Sequence, residues 1–391
     1  MKHRKLIQCA TCFLSLLLLY CARNKGNPVG TAYFERDNMG AENRVVYQPV
    51  SKDTSFKTYV NTAGSPYLFL GDIPDITSRI LLHFAALPDS GVVDSARITL
   101  HTESLIGERT GAFTATVHPV LAEWNAATVT WESFTDDMIG DAIVEVDFSA
   151  DDIDVAGDSL AYTFDLPLDL VQSWVDSTTA AENYGIVICA PPSDFLVSLH
   201  SDDNAVSTGL SPELYLRYTT DTVRTYSYTP SSDLFLADSG REPGENSLYI
   251  GNGAGFHSVV RIEVDTIPEN ATINRAQLRF MVDSLLSFPN HSDLFAASIF
   301  PVLDEPWTIP EVAVDSTVAY SAGVYGDTLV FSLTSLVQGW ATGLLENHGV
   351  LLVGNSELYN VNRRVLRDMS SDPALRPRME IHYSLPPSSK F

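Results

Sequence analysis

Seven short segments of this chain occur twice in the same order, and that duplication restricts the fold more than any other feature. Leu70-Gly71 returns as Ile250-Gly251, Leu87-Pro88 as Ile267-Pro268, and Ser95–Leu100 as Arg275–Phe280, all at an offset of 180 residues. After a two-residue slip, Pro119-Val120-Leu121 returns as Pro301-Val302-Leu303. Leu170–Trp174 then matches Leu336–Trp340, Asn183–Ile186 matches Asn347–Val350, and Pro212–Tyr218 matches Pro377–Tyr383. Colinear blocks imply one structural unit used twice.

The blocks read as β-strands. Ile80, Leu82 and Phe84 alternate with less apolar positions, as do their sequence matches Val260, Ile262 and Val264. A period of two with one apolar face is the pattern of a half-buried antiparallel strand. Ile186–Cys189 and Val350–Val353 are apolar throughout and predict central strands. Leu-Val-x-x-Trp places apolar residues at i, i+1 and i+4, which predicts one short helix closing each unit. Turn-rich stretches such as 191–194 and 238–244 separate the blocks. The expected class is all-β: two tandem antiparallel β-sandwich domains of jelly-roll type, each with one short helix, over 45–220 and 221–386.

The N-terminus predicts export. Lys2, Arg4 and Lys5 precede an apolar run from Leu6 to Tyr20, the length of a signal-peptide core and short for a bilayer span. Leu18-Leu19-Tyr20-Cys21 resembles the lipobox of bacterial lipoproteins, with Tyr20 where that pattern has a small residue. The resemblance implies a signal peptide over 1–20, lipidation of Cys21, a membrane-proximal tether over 21–44, and delivery to the cell envelope, at the outer membrane or cell surface. Ordinary signal cleavage and an uncleaved anchor remain the alternatives. Residues 387–391 form a short tail. With Cys9 and Cys12 in the signal, Cys189 is the one thiol left, so no internal disulfide is available.

The whole chain carries a net charge of −25. Such a field repels nucleic acid and anionic headgroups, which makes both poor partners, and no nucleic acid is expected. The hydrophobic content of 45% is that of globular domains, so the acidity does not signal disorder.

The ordered blocks resemble the DNRLRE domain family. The features are Leu82-His83-Phe84 with Leu87-Pro88, the Ser95–Leu100 strand, and Glu123-Trp124 leading to Val129-Thr130-Trp131. They continue with Val171-Gln172-x-Trp174, Asn183-x-Gly185-Ile186 and Ser211-Pro212-Glu213-Leu214. The second copy keeps most of these but lacks Val-Thr-Trp after Trp307. The resemblance implies a β-sandwich of secreted surface proteins with a binding or scaffolding role.

Catalytic signatures are missing: there is no GxSxG, HExxH or Walker loop, and the chain is expected to be non-enzymatic and to need no cofactor. Gly251–Gly255 joins two strands and reads as a hairpin. Cys189 matches Val353 and reads as an inert core thiol. His83, His101 and His118 can converge on one sheet face as metal ligands, or lie separately as solvated or packed imidazoles. Asp152, Asp154 and Asp158 sit in an acidic stretch with oxygens of the kind a structural Ca²⁺ takes, or form a solvated loop.

Two features favour ligand binding. Trp124 and Trp131 flank a loop, either as platforms for sugar rings or as core. Arg363, Arg364 and Arg367, followed by Arg376 and Arg378, can read acidic groups bidentately or pair with the protein's own carboxylates. The expected role is a surface lipoprotein binding extracellular polysaccharide, or alternatively a structural, adhesion or spacer component that contacts envelope proteins.

Overall fold

The computed structural model describes residues 42–108, 110–155, 160–176, 183–204, 209–288 and 295–386. The signal segment, Cys21 and nearly all of the tether lie outside them. The fold is all-β, 52% strand and 8% helix, in two antiparallel sheets.

In chain order the strands of the first half are β1 (Glu42–Lys57), β2 (Tyr67–Ile73), β3 (Ile76–His83), β4 (Val92–Gly107), β5 (Ala112–Pro119) and β6 (Val144–Ser149). They continue with β7 (Ala161–Asp165), β8 (Ile186–Cys189), β9 (Phe195–His200), β10 (Glu213–Thr219), β11 (Val223–Tyr228) and β12 (Ser232–Asp238). The second half adds β13 (Ser247–Asn252), β14 (Phe256–Ile262), β15 (Thr272–Phe288), β16 (Ala296–Pro301) and β17 (Tyr320–Tyr325). Last come β18 (Thr328–Ser332), β19 (Val350–Gly354), β20 (Asn362–Arg367) and β21 (Arg378–Leu385). Among the described residues three α-helices interrupt them: α1 (Ala150–Val155), α2 (Leu168–Val175) and α3 (Thr334–Ala341).

One sheet has eleven strands in the order β11-β10-β4-β9-β2-β3-β8-β5-β6, with β12 beside β3 and β7 beside β4, and forms a half-barrel. The other has ten, β1-β21-β15-β18-β17-β16-β19-β14-β13-β20, closed into a barrel by additional β1–β14 and β15–β20 pairings. Each encloses its own core. Leu82, Ile98, Phe148 and Leu216 are among the buried residues of the first, and Val260, Leu278, Phe331 and Ile381 of the second. Ala254 and Val361 from the second half are buried in the first core, so the two cores meet.

The strands are not divided at the expected 220/221 boundary. Strand β1, from the first copy, pairs with β21 and β14 of the second copy, while β12, from the second copy, pairs with β3 of the first. The positions correspond: Lys52 is registered opposite Arg261, and Ser232 opposite His83. Thr219 pairs with Val223, and residues 220–222, at that boundary, form the turn of the β10–β11 hairpin. A pattern of alternating side chains says which face of a strand is apolar but not which sheet it joins. Every strand that enters another sheet pairs N–H and C=O groups that an edge would leave exposed, and β1 closes the ten-stranded sheet in this way.

Strand β1 turns a corner where its partner changes. Residues 42–49 pair with β21 and residues 50–57 with β14, with an irregularity between Val50 and Lys52 beside Pro49. Proline, which has no N–H to donate, suits such a break in the ladder.

The sequence match of Leu82 with Ile262 is displaced by two residues. Leu82 pairs with Ile186, whereas Val260 pairs with Val350, so Val260 is the structural equivalent. A slip of two preserves the in-out alternation, which is why periodicity does not detect it. β3 is also not half-exposed. Leu81, on its outer side, is buried with Val187, Leu234 and Leu236 under the loop carrying Val120, Val129 and Phe134. The second sheet repeats this outer cluster with Val259, Leu351, Phe56 and Val302.

The Leu-Val-x-x-Trp segments are α2 and α3, and they bury Val171 with Trp174 and Val337 with Trp340. The glutamine between each Val and Trp ties its helix to a strand. Gln172 accepts from Val93 N–H at 2.8 Å and donates to the Gly91 carbonyl at 2.9 Å. Gln338 accepts from Ile273 N–H at 2.8 Å and donates to the Ala271 carbonyl at 3.1 Å.

Candidate functional site

The residues around Trp124 form an open hollow of about 260 Å³ bounded by His83, Glu123, Trp124, Asn183 and Tyr184. His83 ends β3, Glu123 and Trp124 come from the loop after β5, and Asn183 and Tyr184 lead into β8. The indole is fixed at its polar edge, donating from Nε1 to the Tyr184 carbonyl at 2.8 Å. Its ring meets His83 edge-on, with centroids 6.2 Å apart. Asn183 donates from Nδ2 to the Phe84 carbonyl at 2.9 Å and accepts from Gly185 N–H at 3.2 Å. Gly185 itself has φ +84°, and a Cβ there would lie 2.2 Å from the Leu82 carbonyl oxygen. That close approach admits only glycine and lets the Asn183-Tyr184 bend sit against β3.

His83 Nε2 lies 3.0 Å from the Asn183 carbonyl, and Nδ1 is 3.4 Å from Ser231 Oγ. Burial pushes this imidazole below its ordinary value, against the raising effect of the Asn183 carbonyl. A neutral ring donating from Nε2 to the Asn183 carbonyl makes the shorter of these contacts, since the Ser231 hydroxyl donates to the His83 carbonyl at 2.9 Å. Glu123 is exposed, and among the described residues no cation pairs with it. The hollow thus combines an aromatic wall, a fixed amide and an uncommitted carboxylate.

Trp131 does not join this hollow. The Arg79 guanidinium carbon lies 4.1 Å from its ring centroid, and Arg79, itself buried, also donates to the Phe134 carbonyl at 3.0 Å. Both tryptophans pack, partly buried, on the outer cluster of β3 and β8, and Trp124 borders the hollow.

The C-terminal arginines are engaged within the protein. Arg363 is 3% exposed, and its Nη2 lies 2.6 Å from Asp75 Oδ1 and 3.2 Å from the Leu286 carbonyl. Arg364 stands over the Phe295 ring at 5.1 Å, and Arg367 pairs with Asp283 at 2.8 Å. Arg376 donates to the Ser371 carbonyl, and Arg378 lies over Tyr47. Clustered in sequence, these residues are held by different partners. Arg363 and Arg364 adjoin on β20, and neighbouring side chains of a strand point to opposite faces.

Asp152 and Asp154 fall in helix α1 rather than a loop, and their side chains, like all of Asp158, lie outside the described residues. Among the described residues no group of three or more His, Cys, Asp or Glu side chains could hold a metal ion. His83 and His118 have separate surroundings: His118 contacts the Gly140 carbonyl and Thr116 Oγ1, both at 2.8 Å, away from the His83 contacts. Cys189 is a free thiol packed on the outer cluster, and burial pushes its pKa up, away from a reactive thiolate.

A second hollow, of about 280 Å³, escaped the sequence reading. Its walls include Trp340, Tyr320, Leu345 and Val302, with Ser335, Glu346 and His348 among its polar groups. Tyr320 and Ser335 hydroxyls lie 3.1 Å apart, and His348 pairs with Glu346 at 2.9 Å. Trp340 and Tyr320 are far apart in sequence, and no motif joins them.

No known protein family model matches this chain, and no curated protein matches it. Among solved structures the chain is similar to one described as "Structure of infectious bursal disease virus Gx strain", at 9% identity over 89% of this chain and 74% of the other. The TM-score is 0.13, a value that assigns no common fold.

Proposed function

We propose that this chain is a non-enzymatic cell-surface lipoprotein whose tandem jelly-roll-like β-sandwich modules, of the DNRLRE type, bind carbohydrate outside the cell. Cys21 carries the lipid, and the residues after it lead to β1, which begins at Glu42. The reading rests on one observation: the Trp124 indole, clamped by Tyr184, borders an open hollow together with the uncommitted Glu123 carboxylate. An indole face supports the C–H side of a sugar ring, and a carboxylate accepts from its hydroxyls. Clamping the indole in advance reduces the ordering cost of binding.

A glycan array probed with the full chain in detergent tests the reading. Binding that is lost in Trp124→Ala and kept in Trp131→Phe is the expected result; no signal above background for any glycan would end it. One observation favours the spacer reading instead. The exchanged strands β1 and β12 tie the two halves through main-chain ladders, as suits a rigid envelope component.

A further inference from the structure

We infer that the hollow at Trp124 takes a primary ammonium group, carried on an amino-sugar residue. This deepens the carbohydrate reading of the same site and rests on it.

The chain builds this site twice. Trp307 donates from Nε1 to the His348 carbonyl at 2.8 Å, as Trp124 does to the Tyr184 carbonyl at 2.8 Å. Asn347 donates to the Ile262 carbonyl at 2.7 Å, as Asn183 does to that of Phe84 at 2.9 Å. Ser51 Oγ donates to the Arg261 carbonyl at 3.2 Å, as Ser231 Oγ does to that of His83 at 2.9 Å. Strand register sets Lys52 opposite Arg261 and Ser232 opposite His83. The two frames therefore correspond bond for bond.

Their charges differ. In the second frame the Lys52 ammonium lies 2.7 Å from Glu305 Oε1 and 4.2 Å from the Trp307 ring centroid. Arg261 Nη1 pairs with the other oxygen of Glu305. That site is filled by the protein's own cations, one of them delivered by the exchanged strand β1. In the first frame Glu123 and Trp124 keep the carboxylate and the indole, but Ser232 stands in place of Lys52 and His83 in place of Arg261. The His83 ring, held neutral by burial, does not replace the missing charge. What holds an ammonium in one half of the molecule is open in the other.

The chemistry of the two groups is additive for such a ligand. An indole face attracts a cation through its quadrupole, and a carboxylate forms charge-assisted hydrogen bonds with N–H donors. The chain's net charge of −25 raises the local concentration of cations at every approach. A hollow of about 260 Å³ bordered by Trp124 and Tyr184 offers more room than the stem of a lysine needs and suits one sugar ring.

Calorimetric titration of the full chain in detergent tests this with three probes: a glucosamine tetrasaccharide with free amines, its fully N-acetylated form, and a lysine-bearing peptide. The free-amine sugar should bind at least about tenfold more tightly than the N-acetylated one. Glu123→Gln should weaken it by about tenfold or more, as should Ser232→Lys, which recreates the self-filled site. The double change Lys52→Ser with Arg261→His should open the second site and raise the stoichiometry. Equal binding of both sugars would overturn the ammonium assignment while leaving the carbohydrate reading intact. No binding of either sugar would overturn both. A peptide that binds more tightly than the amino sugar would overturn the sugar as carrier, and binding indifferent to Glu123→Gln would overturn the site.

Discussion

Lys52 Nζ lies 2.7 Å from Glu305 Oε1, although 253 residues separate them in the chain. The pair exists because β1, from the start of the described chain, is laid into a sheet otherwise built from the second half. Side chains that look unrelated in sequence are thereby brought into one site.

The strand exchange has a direct test in Phe56. This side chain is buried against Val259, Val302 and Leu351, and Leu236 holds the matching position in β12. Phe56→Ala should cost about 3–5 kcal/mol. Hydrogen exchange should speed up in β14 and β19, while Leu236→Ala should loosen β3 and β8. Loosening of β3 and β8 by Phe56→Ala instead would refute the exchange.

Asp233, on β12, has its carboxyl pushed by burial from 3.8 up to about 7, with the hydrogen bond from Asp202 N–H working the other way. Asp202 and Asp203 add to the rise. The folded state therefore holds the proton more tightly than the unfolded chain. The resulting stability is complete below about pH 4, is lost as pH rises through about 7, and amounts to something on the order of 4 kcal/mol. Asp233→Asn should remove that slope and raise the urea midpoint at pH 8 relative to wild type. A difference between the two proteins that stays constant from pH 5 to 8 would contradict this.

Gly185 cannot be replaced without moving β3. Alanine there combines a φ of +84° with a Cβ 2.2 Å from the Leu82 carbonyl oxygen, and Gly349 repeats the arrangement against Val260 at 2.5 Å. Gly185→Ala should lower stability by more than about 1 kcal/mol and disturb the Trp124 fluorescence environment. A variant as stable as wild type in chemical denaturation would show that the close approach is not required.

Arg363 joins β20 to Asp75 in the turn between β2 and β3, across the meeting of the two cores. Arg363→Ala removes a buried guanidinium and its hydrogen bonds, leaving the part-exposed Asp75 with Arg241 at 3.4 Å, and should cost about 1.5–3 kcal/mol. Loss of ligand binding without loss of stability would instead mark it as a recognition residue.

The duplicated blocks, the strand periodicity and the two short helices were legible because each is local. An apolar face at period two, or a Leu-Val-x-x-Trp spacing, reports burial wherever the segment packs. The glycines and asparagines of Asn183-x-Gly185 and Asn347-x-Gly349 belong to the same class, since their repetition reflects a backbone contact made twice. Trp124 could be named from sequence as an aromatic platform, but its separation from Trp131 could not. Arg79, just over fifty residues upstream, is what covers Trp131.

The sequence by itself determined that the chain is all-β and built from two copies of one pattern, because hydrophobic alternation and repetition are properties of neighbouring residues. Tertiary structure alone decided which sheet each strand entered, and with it the occupancy of the two indole-carboxylate frames. Strand pairing is made by backbone groups common to every residue, so a side-chain pattern leaves the partner unspecified. Only that pairing sets Lys52 over Trp307 and Ser232 opposite His83.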